Sequence, residues 1–345
     1  MTTDHSSSEK NKHLITLTEQ VLKKLDDPIP ESETEAFCED LKTLIDFHDK
    51  HYYVESKPII TDYDYDRLFK KLKDMEEENP NLVTADSPTQ RVARGLNKEF
   101  PTVQHLVPMM SLENTYDVHD LNDFDRKVKD ALSGSTKVDY VVEPKFDGSS
   151  IALVYENNQL VRAATRGNGV EGDEITQNAK AIRSIPLKVD FAQYGIYKIE
   201  LRGEVLLEVA MLEKLNKERK EQNEIYRKEN KKELELYKNA RNTAAGSLRL
   251  KDPKEVAARK LDAVIYQVGY AEDKNGKEVT DSFGSHTKNL EVLTNIGFKT
   301  PFREMGLFTS IDEVEDFCKQ WERKRDSYPF DIDGAVVKVN NIHQQ

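Results

Sequence analysis

Between residues 141 and 148 the chain reads Val141-Val142-Glu143-Pro144-Lys145-Phe146-Asp147-Gly148. Alternate side chains of a β-strand point to opposite faces. Val142, Pro144 and Phe146 therefore make an apolar face able to pack on a core, while Glu143, Lys145 and Asp147 line the other. Asp147-Gly148 predicts a turn into the next strand. Charge on one strand face requires a cleft or solvent, and the pattern returns in Glu200, Arg202 and Glu204, opposite Leu201 and Val205, and in Asp331-Ile332-Asp333-Gly334. Several strands showing charge on one side are how a sheet lines a cleft for an anionic ligand.

A lysine in such a cleft is a candidate nucleophile. Free lysine titrates near ~10.4, so attack as an amine requires loss of the proton. Neighbouring cations favour that loss, whereas Glu143 and Asp147 oppose it. Positive charge is expected from Arg166, Arg241, Arg249 and Lys338. The arginines also suit phosphates, because their planar forks meet phosphate oxygens in pairs. Taken alone, Lys-x-Asp-Gly fits a hairpin with an exposed lysine equally well.

Working outward, the spacing predicts strands at Val138–Phe146, Ile151–Tyr155, Leu160–Thr165, Tyr197–Leu207, Ala263–Tyr270 and Ala335–Val339. Helices are predicted over Asp117–Leu132, closed by Ser133-Gly134, over a charged stretch Glu208–Tyr237, and near Thr287–Ile296 and Ile311–Arg325. Upstream, Phe37, Leu41, Leu44, Ile45 and His48 recur at helical spacing within Glu31–Tyr53. A second helix begins at about Asp62, carries the stripe Tyr65, Leu68, Phe69, Leu72, Met75, and stops before Pro80. The expected class is α+β: a disordered or helical start over 1–30, a small helical unit over 31–105, and a mixed-sheet domain over 106–345. Met1 to Lys12 is Ser- and Lys-rich with no apolar core, and reads as a disordered start rather than a signal peptide. The last strand runs into Asn340–Gln345 with no closing helix, which points to a fragment of something longer.

Charge sets a constraint. With 51 basic and 63 acidic residues the net charge is −12. A domain that grips nucleic acid by its backbone should be basic or carry a concentrated basic face. If nucleic acid is involved, most of the grip must come from elsewhere. No apolar run approaches the ~18 residues of a membrane span. The two cysteines, Cys38 and Cys318, lack neighbours at metal or redox spacing, so free thiols in a reducing cytoplasm are expected.

The strand motif has extensive company: Tyr52-Tyr53, Asp62 and Tyr65-Asp66-Arg67-Leu68; Asp86-Ser87-Pro88-Thr89-Gln90-Arg91-Val92; Pro108-Met109-Met110-Ser111-Leu112-Glu113-Asn114; Thr165-Arg166-Gly167-Asn168-Gly169; Arg202-Gly203-Glu204-Val205; Ala240-Arg241-Asn242 through Gly246-Ser247-Leu248-Arg249; and Asp331 through Val339. In this order, from about residue 40 to its end, the chain resembles the NAD-dependent DNA ligases of bacteria. It departs from them in Tyr53, where some members carry His, in Asn168 for a frequent Asp, in Ala240 for a frequent Pro, and in a longer charged helix before Arg241.

The resemblance implies a helical NMN-binding subdomain followed by a nucleotidyltransferase domain of the DNA ligase and capping-enzyme type. Lys145 would attack the α-phosphorus of NAD, releasing nicotinamide mononucleotide (NMN) and keeping AMP. Asp147 and Lys338 would assist, with Lys338 beside the α-phosphate. Glu143 would bond the adenine amino group, Ser111 and Leu112 would lie near the base, and Tyr266 would stack on it. Arg166 and Glu204 would contact ribose and phosphate, and Arg241 and Arg249 phosphates. Glu204 and Asp333 are the candidate Mg2+ carboxylates. Tyr52, Tyr53, Asp62, Tyr65 and Asp66 would hold the NMN half. On their own chemistry Asp62 also fits a helix N-cap, Tyr65 a packing residue, Tyr266 a strand aromatic and Lys338 an edge-strand lysine.

The family continues with an aromatic-lysine segment, an OB-fold, a four-cysteine zinc module, helix-hairpin-helix repeats and a BRCT domain, none in this sequence; zinc belongs only to that downstream part. The implied partners are NAD and, through the full-length enzyme, nicked double-stranded DNA in replication and repair, with no membrane and a monomeric state in the bacterial cytoplasm. This chain is expected to perform at most self-adenylation. The rival readings are a non-catalytic nucleotide-binding fragment and an ATP- or GTP-using ligase or capping-type transferase.

Overall fold

The computed structural model describes residues 3–55, 57–91, 99–132 and 137–345. Met1, Val92 and the Ser133-Gly134 helix stop lie outside them.

The helical unit is built on apolar stripes at helical spacing. α1 (Thr3–Lys24), α2 (Thr34–Asp49) and α3 (Asp62–Glu78) bury Val21, Leu25, Leu41, Leu44, Ile45, Leu68 and Leu72 against one another. The N-terminus is therefore helical from Thr3, not a disordered start, because Leu14, Leu17 and Val21 gain a surface to cover on α2 and α3. The cap of α3 also differs from expectation. Thr61 is the N-cap, its hydroxyl accepting from Asp64 N at 3.1 Å, and Asp62 is the first helical residue. After Asp49 the second helix widens into a π-helical turn, Lys50–Val54, that carries Tyr52 and Tyr53.

The Ser87–Gln90 motif is bound to α3: Ser87 Oγ donates to the buried Glu76 carboxylate at 2.7 Å, and Thr89 donates to its other oxygen. Next in chain, the buried Arg91 donates from Nη1 to Ile185 O at 2.8 Å and lies 3.6 Å from Asp49. It thus ties the helical unit to the larger one. β1 (Thr102–Gln104) pairs with a strand of the larger unit, so that unit begins before the expected boundary at residue 105.

The remaining elements are α4 (Val118–Ala131), β2 (Tyr140–Phe146), β3 (Ser149–Glu156), β4 (Gln159–Thr165), β5 (Glu171–Asp173), α5 (Thr176–Lys180), β6 (Lys198–Leu206), α6 (Val209–Lys228), α7 (Ala240–Ser247), α8 (Pro253–Ala258), β7 (Asp262–Glu272), α9 (His286–Asn295), β8 (Gly306–Phe308), α10 (Ile311–Lys324) and β9 (Ile332–Val339). Among these residues the strands form a four-stranded antiparallel sheet β4-β3-β6-β7, a three-stranded antiparallel sheet β8-β2-β9 and the pair β1-β5. The larger sheet packs Ile151, Leu153, Leu201 and Ile265 with Ala244, Leu248, Val256 and Leu293 of α7, α8 and α9. The smaller packs Tyr140, Val142 and Val339 against Leu121 of α4 and Val314 of α10.

Asp147-Gly148 is not the expected turn between neighbouring strands. β2 and β3 belong to different sheets, and the turn carries the chain from one to the other. Only glycine fits this corner, since a Cβ on Gly148 would lie 2.4 Å from Val205 O. The charged helix is shorter than expected. It stops at Lys228, where Asn230 takes a φ of 51° and Lys231 N bonds Tyr226 O. The segment beyond runs back along α6, with Asn223 and Asn216 each exchanging hydrogen bonds with the backbone of Leu234 and Tyr237 in turn.

Arg91→Ala should cost about 3 kcal/mol or more, because it leaves the buried Ile185 carbonyl and Asp49 each short of a partner. Arg126→Ala, whose partners Asp123 and Asp130 are exposed, should cost less than ~1 kcal/mol. Urea unfolding of the two variants beside the parent checks both; equal losses would contradict the docking role of Arg91.

Candidate active site

The corner at Gly148 brings the end of β2 against β6 of the larger sheet, and a cavity of about 320 Å³ lined by both sheets opens there. Ser111, Leu112, Glu143, Lys145, Asp147, Arg166, Glu204, Arg241, Tyr266 and Lys338 all line it. Each arrives by a different route. The strand alternation of β2 aims Glu143 and Lys145 inward, and β9, its antiparallel neighbour, sets Val336 opposite Glu143 and Lys338 opposite Val141. Lys338 is thus the diagonal neighbour of Glu143 on one face. Glu204 comes from β6, Tyr266 from β7 and Arg241 from the first turn of α7, whose N-cap is Asn239.

Three cations of the cavity are paired with carboxylates. Lys145 pairs with Asp333, Lys338 with Glu143, and Arg241 with Asp147 at 3.1 Å. Arg166 donates to Ser111 Oγ at 2.7 Å. The hydrogen bond from Lys145, then its charge, holds the Asp333 carboxyl below the usual range. Burial pushes Glu143 up, but Lys338 and His286 outweigh it and hold this carboxyl low. Glu204 goes the other way: burial lifts it to about 7, against the hydrogen bond from Ser150 and the charge of Arg241.

Two expected residues stand apart. Asp333 reaches the cavity only through Lys145, and Arg249 is outside the lining, its Nε given to Asp173 at 2.7 Å. Among the described residues no group of three His, Cys, Asp or Glu side chains could hold a metal ion. Glu204 and Asp333 therefore do not form a cage. A Mg2+ ion that keeps its waters and takes phosphate oxygens needs only one or two carboxylates, so the residues fit that mode alone.

A second cavity, sharing no lining residue with the first, is walled by Tyr52, Tyr53, Asp62, Tyr65 and Asp66. His48 and Arg183 also line it; His48 was marked in the sequence only as part of a helical stripe, and Arg183 not at all. Arg183 comes from the larger unit, donates to Tyr65 OH at 3.0 Å and to Asp49 at 3.4 Å, and lies 5.9 Å from the centre of the Tyr53 ring. Burial, then the Asp49 charge, pushes the Tyr65 phenol far above its ordinary range. Burial lowers His48 to about 4, which leaves it neutral near pH 7. In the first cavity the sequence also left Ser150 and Gln267 unmarked, while Arg202, expected on a cleft-facing strand, does line it. Arg202 and Glu200 were legible only as strand charge. Both are buried and hold the backbone of Leu106, Val107 and Pro108 beneath the segment that carries Ser111.

Two sheets joined at a glycine corner thus set a lysine facing a pocket of arginines and carboxylates. Residues 97–345 match the model of the NAD-dependent DNA ligase adenylation domain, and residues 31–93 that of the DNA ligase-like, N-terminal NAD+-binding domain. The chain belongs to the NAD-dependent DNA ligase family. Similar proteins include the DNA ligase of Sulfurihydrogenibium sp. (strain YO3AOP1), 49% identical over 337 residues, 97% of this chain and 46% of that protein. Those of Persephonella marina (49% over 311 residues, 90% and 42%) and Aquifex aeolicus (48% over 335 residues, 96% and 44%) are comparable. The chain spans about half the length of the curated relatives it matches. No helix among the described residues is long and apolar enough to cross a membrane.

Glu204 yields a pH prediction. Its carboxyl, ordinarily near 4.5, titrates at about 7 in the folded chain. Between those values the native state keeps a proton that the unfolded state has lost. Stability should therefore fall, relative to Glu204→Gln, by on the order of 3 kcal/mol as the pH rises from about 4.5 to about 7, and be level with it at lower pH. Urea unfolding of both proteins at pH 4.5 and pH 8 measures the difference; parallel losses would refute it.

Proposed function

We propose that this chain performs the self-adenylation step of an NAD-dependent DNA ligase. The Lys145 amine attacks the α-phosphorus of the AMP half of NAD. A P–N bond forms, the pyrophosphate P–O bond breaks, NMN leaves with its own phosphate, and the lysine proton passes to solvent. The observation that supports this reading best is that Lys145 shares one cavity with Glu143, Arg166, Glu204, Arg241, Tyr266 and Lys338. Glu143 bonds the adenine amino group, Ser111 and Leu112 flank the base, and Tyr266 stacks on it. Arg166 and Glu204 meet ribose and phosphate. Arg241 and Lys338 meet the phosphates, while Arg249 acts at longer range through Asp173.

For the amine to attack, it must be freed from Asp333, and the phosphates of a bound dinucleotide would compete for Lys145. Asp333 or Glu204 would be the protein ligand of a Mg2+ ion, which would supply charge neutralisation at the reacting phosphate. Asp147 steers Arg241 between itself and the ligand.

The NMN half belongs to the second cavity, where Tyr52, Tyr53 and Tyr65 offer faces to the pyridine ring and Asp62 and Asp66 accept from ribose hydroxyls. In the full-length relatives' setting the AMP passes to the 5′-phosphate of nicked double-stranded DNA, and the 3′-hydroxyl then displaces it. The chain is read as a monomer of the bacterial cytoplasm, with helical 31–105 and nucleotidyltransferase 106–345 parts and its two cysteines reduced.

Incubation with NAD and Mg2+ followed by intact mass should show an AMP-sized adduct on the parent protein and none on Lys145→Ala. An adduct formed from ATP but not from NAD would overturn the cofactor assignment. Asp66→Ala should slow adduct formation by on the order of 100-fold at subsaturating NAD, as expected when a positioning contact is lost, while AMP binding by calorimetry stays unchanged. A matching loss of AMP affinity would contradict the assignment of the NMN half to the second cavity.

A further inference from the structure

Behind the cavity, and not lining it, stands His286, the first residue of α9. It is almost fully buried, and its Nε2 lies 3.1 Å from Glu143 Oε2. Lys338 occupies the other oxygen, Oε1, and also reaches Tyr266 O at 3.3 Å. In the free protein both carboxylate oxygens of Glu143 are therefore taken.

The backbone holds the three residues in register. His286 N donates to Asn340 O at 2.8 Å and Thr287 N to Asn340 Oδ1 at 3.0 Å. Asn340 directly follows β9, and its own N donates to Asp139 O at 2.7 Å, just ahead of β2. One junction thus fixes the strand of Glu143, the strand of Lys338 and the helix of His286. The tautomer follows from the partners. Burial lowers His286, so its ring is neutral near pH 7. Nε2 has two neighbours, Glu143 Oε2 at 3.1 Å and the Lys338 ammonium at 3.4 Å; a carboxylate only accepts, so the shorter contact is a hydrogen bond only with the hydrogen on Nε2, donated to Glu143.

Ligand binding disturbs this arrangement in a defined way. On the reading proposed above, Lys338 moves to the α-phosphate and the adenine amino group takes its place at Oε1. During that exchange Glu143 is a buried carboxylate that would have no partner but His286. A buried charge without partners is costly and free to rotate or take up a proton.

We propose that His286 is a positioning residue for base recognition: its Nε2–H holds Glu143 Oε2 while Oε1 passes from Lys338 to the amino group of adenine. The histidine never touches NAD. It keeps Glu143 an acceptor aimed at a 6-amino group, which disfavours a 6-oxo purine, whose carbonyl would face the carboxylate. This rests on the assignment of the first cavity to the adenine of NAD.

The test uses the whole chain, NAD, and the hypoxanthine analogue of NAD, in which a carbonyl replaces the amino group. Adduct formation is followed by intact mass in single turnover, and affinity by calorimetry. The parent should prefer NAD. His286→Ala should raise the NAD concentration for half-maximal rate about tenfold, the scale of one hydrogen bond to a charged group. It should leave the rate at saturation within about threefold, and should narrow the preference for NAD by about tenfold. His286→Gln, whose side-chain amide also donates, should restore most of both.

A His286→Ala protein that matches the parent in half-saturation and base preference would overturn the proposal, as would one that loses rate at saturation with its preference intact. If alanine unfolds the chain, the glutamine variant decides, because parental preference is expected there and its loss would refute the donor role. A parent that forms no adduct from NAD would remove the functional reading together with this one. A parent that forms the adduct equally from both dinucleotides would remove only the Glu143 assignment and what rests on it.

Discussion

The corner at Gly148 is the constraint on which the rest of the molecule depends. The chain leaves the three-stranded sheet at Phe146 and enters the four-stranded sheet at Ser149, passing so close to Val205 O that no Cβ can be accommodated. Because the crossing is this tight, the end of β2 is held against β6. Lys145 and Asp147 from one sheet then face Glu204 from the other across a single cavity. A looser connection would let the sheets separate, and the charged faces of β2 and β6 would line two shallow surfaces in place of one pocket.

Once the sheets are joined, the electrostatics follow from burial. Glu143, Asp147 and Asp333 each hold a cation, so the site is an exchange system in which every positive group already has a partner. Of the three pairs Glu143–Lys338 is the buried one, and there pairing offsets the desolvation an unpaired charge would meet; the other two are partly exposed. A phosphate-bearing ligand competes for the same cations and does not enter an empty field. Glu204, whose close hydrogen-bond partner among the described residues is the Ser150 hydroxyl, is a carboxyl that burial moves toward neutrality.

The helical unit is joined to this scaffold mainly by long side chains. Arg91 spans to Ile185 O, Arg183 reaches back to Tyr65 and Asp49, and Lys50 donates to Asn295 O at 3.0 Å. These are directional contacts at the rim of two separate cores, one built on α1, α2 and α3 and the other on the four-stranded sheet. The cavity of tyrosines and aspartates lies on this seam, so its cationic wall, Arg183, belongs to the other unit.

What could be read from the sequence was whatever repeats locally. Strand-like runs marked all strands of the two main sheets except the three-residue β8, period-two alternation marked the charged faces of β2 and β6, and helical spacing marked α2, α3, α4, α9 and α10, because side-chain direction depends only on the backbone's own period. The charged face of Glu143 and Lys145 was legible for the same reason, whereas Arg166 and Tyr266 were singled out as site residues through the family resemblance; all four line one cavity. Tertiary structure alone decided the rest. A hairpin and a crossing between sheets share the dipeptide Asp147-Gly148, and only the pairing of β2 with β9, nearly two hundred residues away, tells them apart. Arg183, Arg202 and His286 act through contacts with residues remote in sequence, which no local pattern encodes. Arg249 shows the converse: it shares a motif with Arg241, but at the end of α7 its side chain is given to Asp173. Sequence thus determined which faces carry charge, whereas long-range strand pairing determined which of those faces meet.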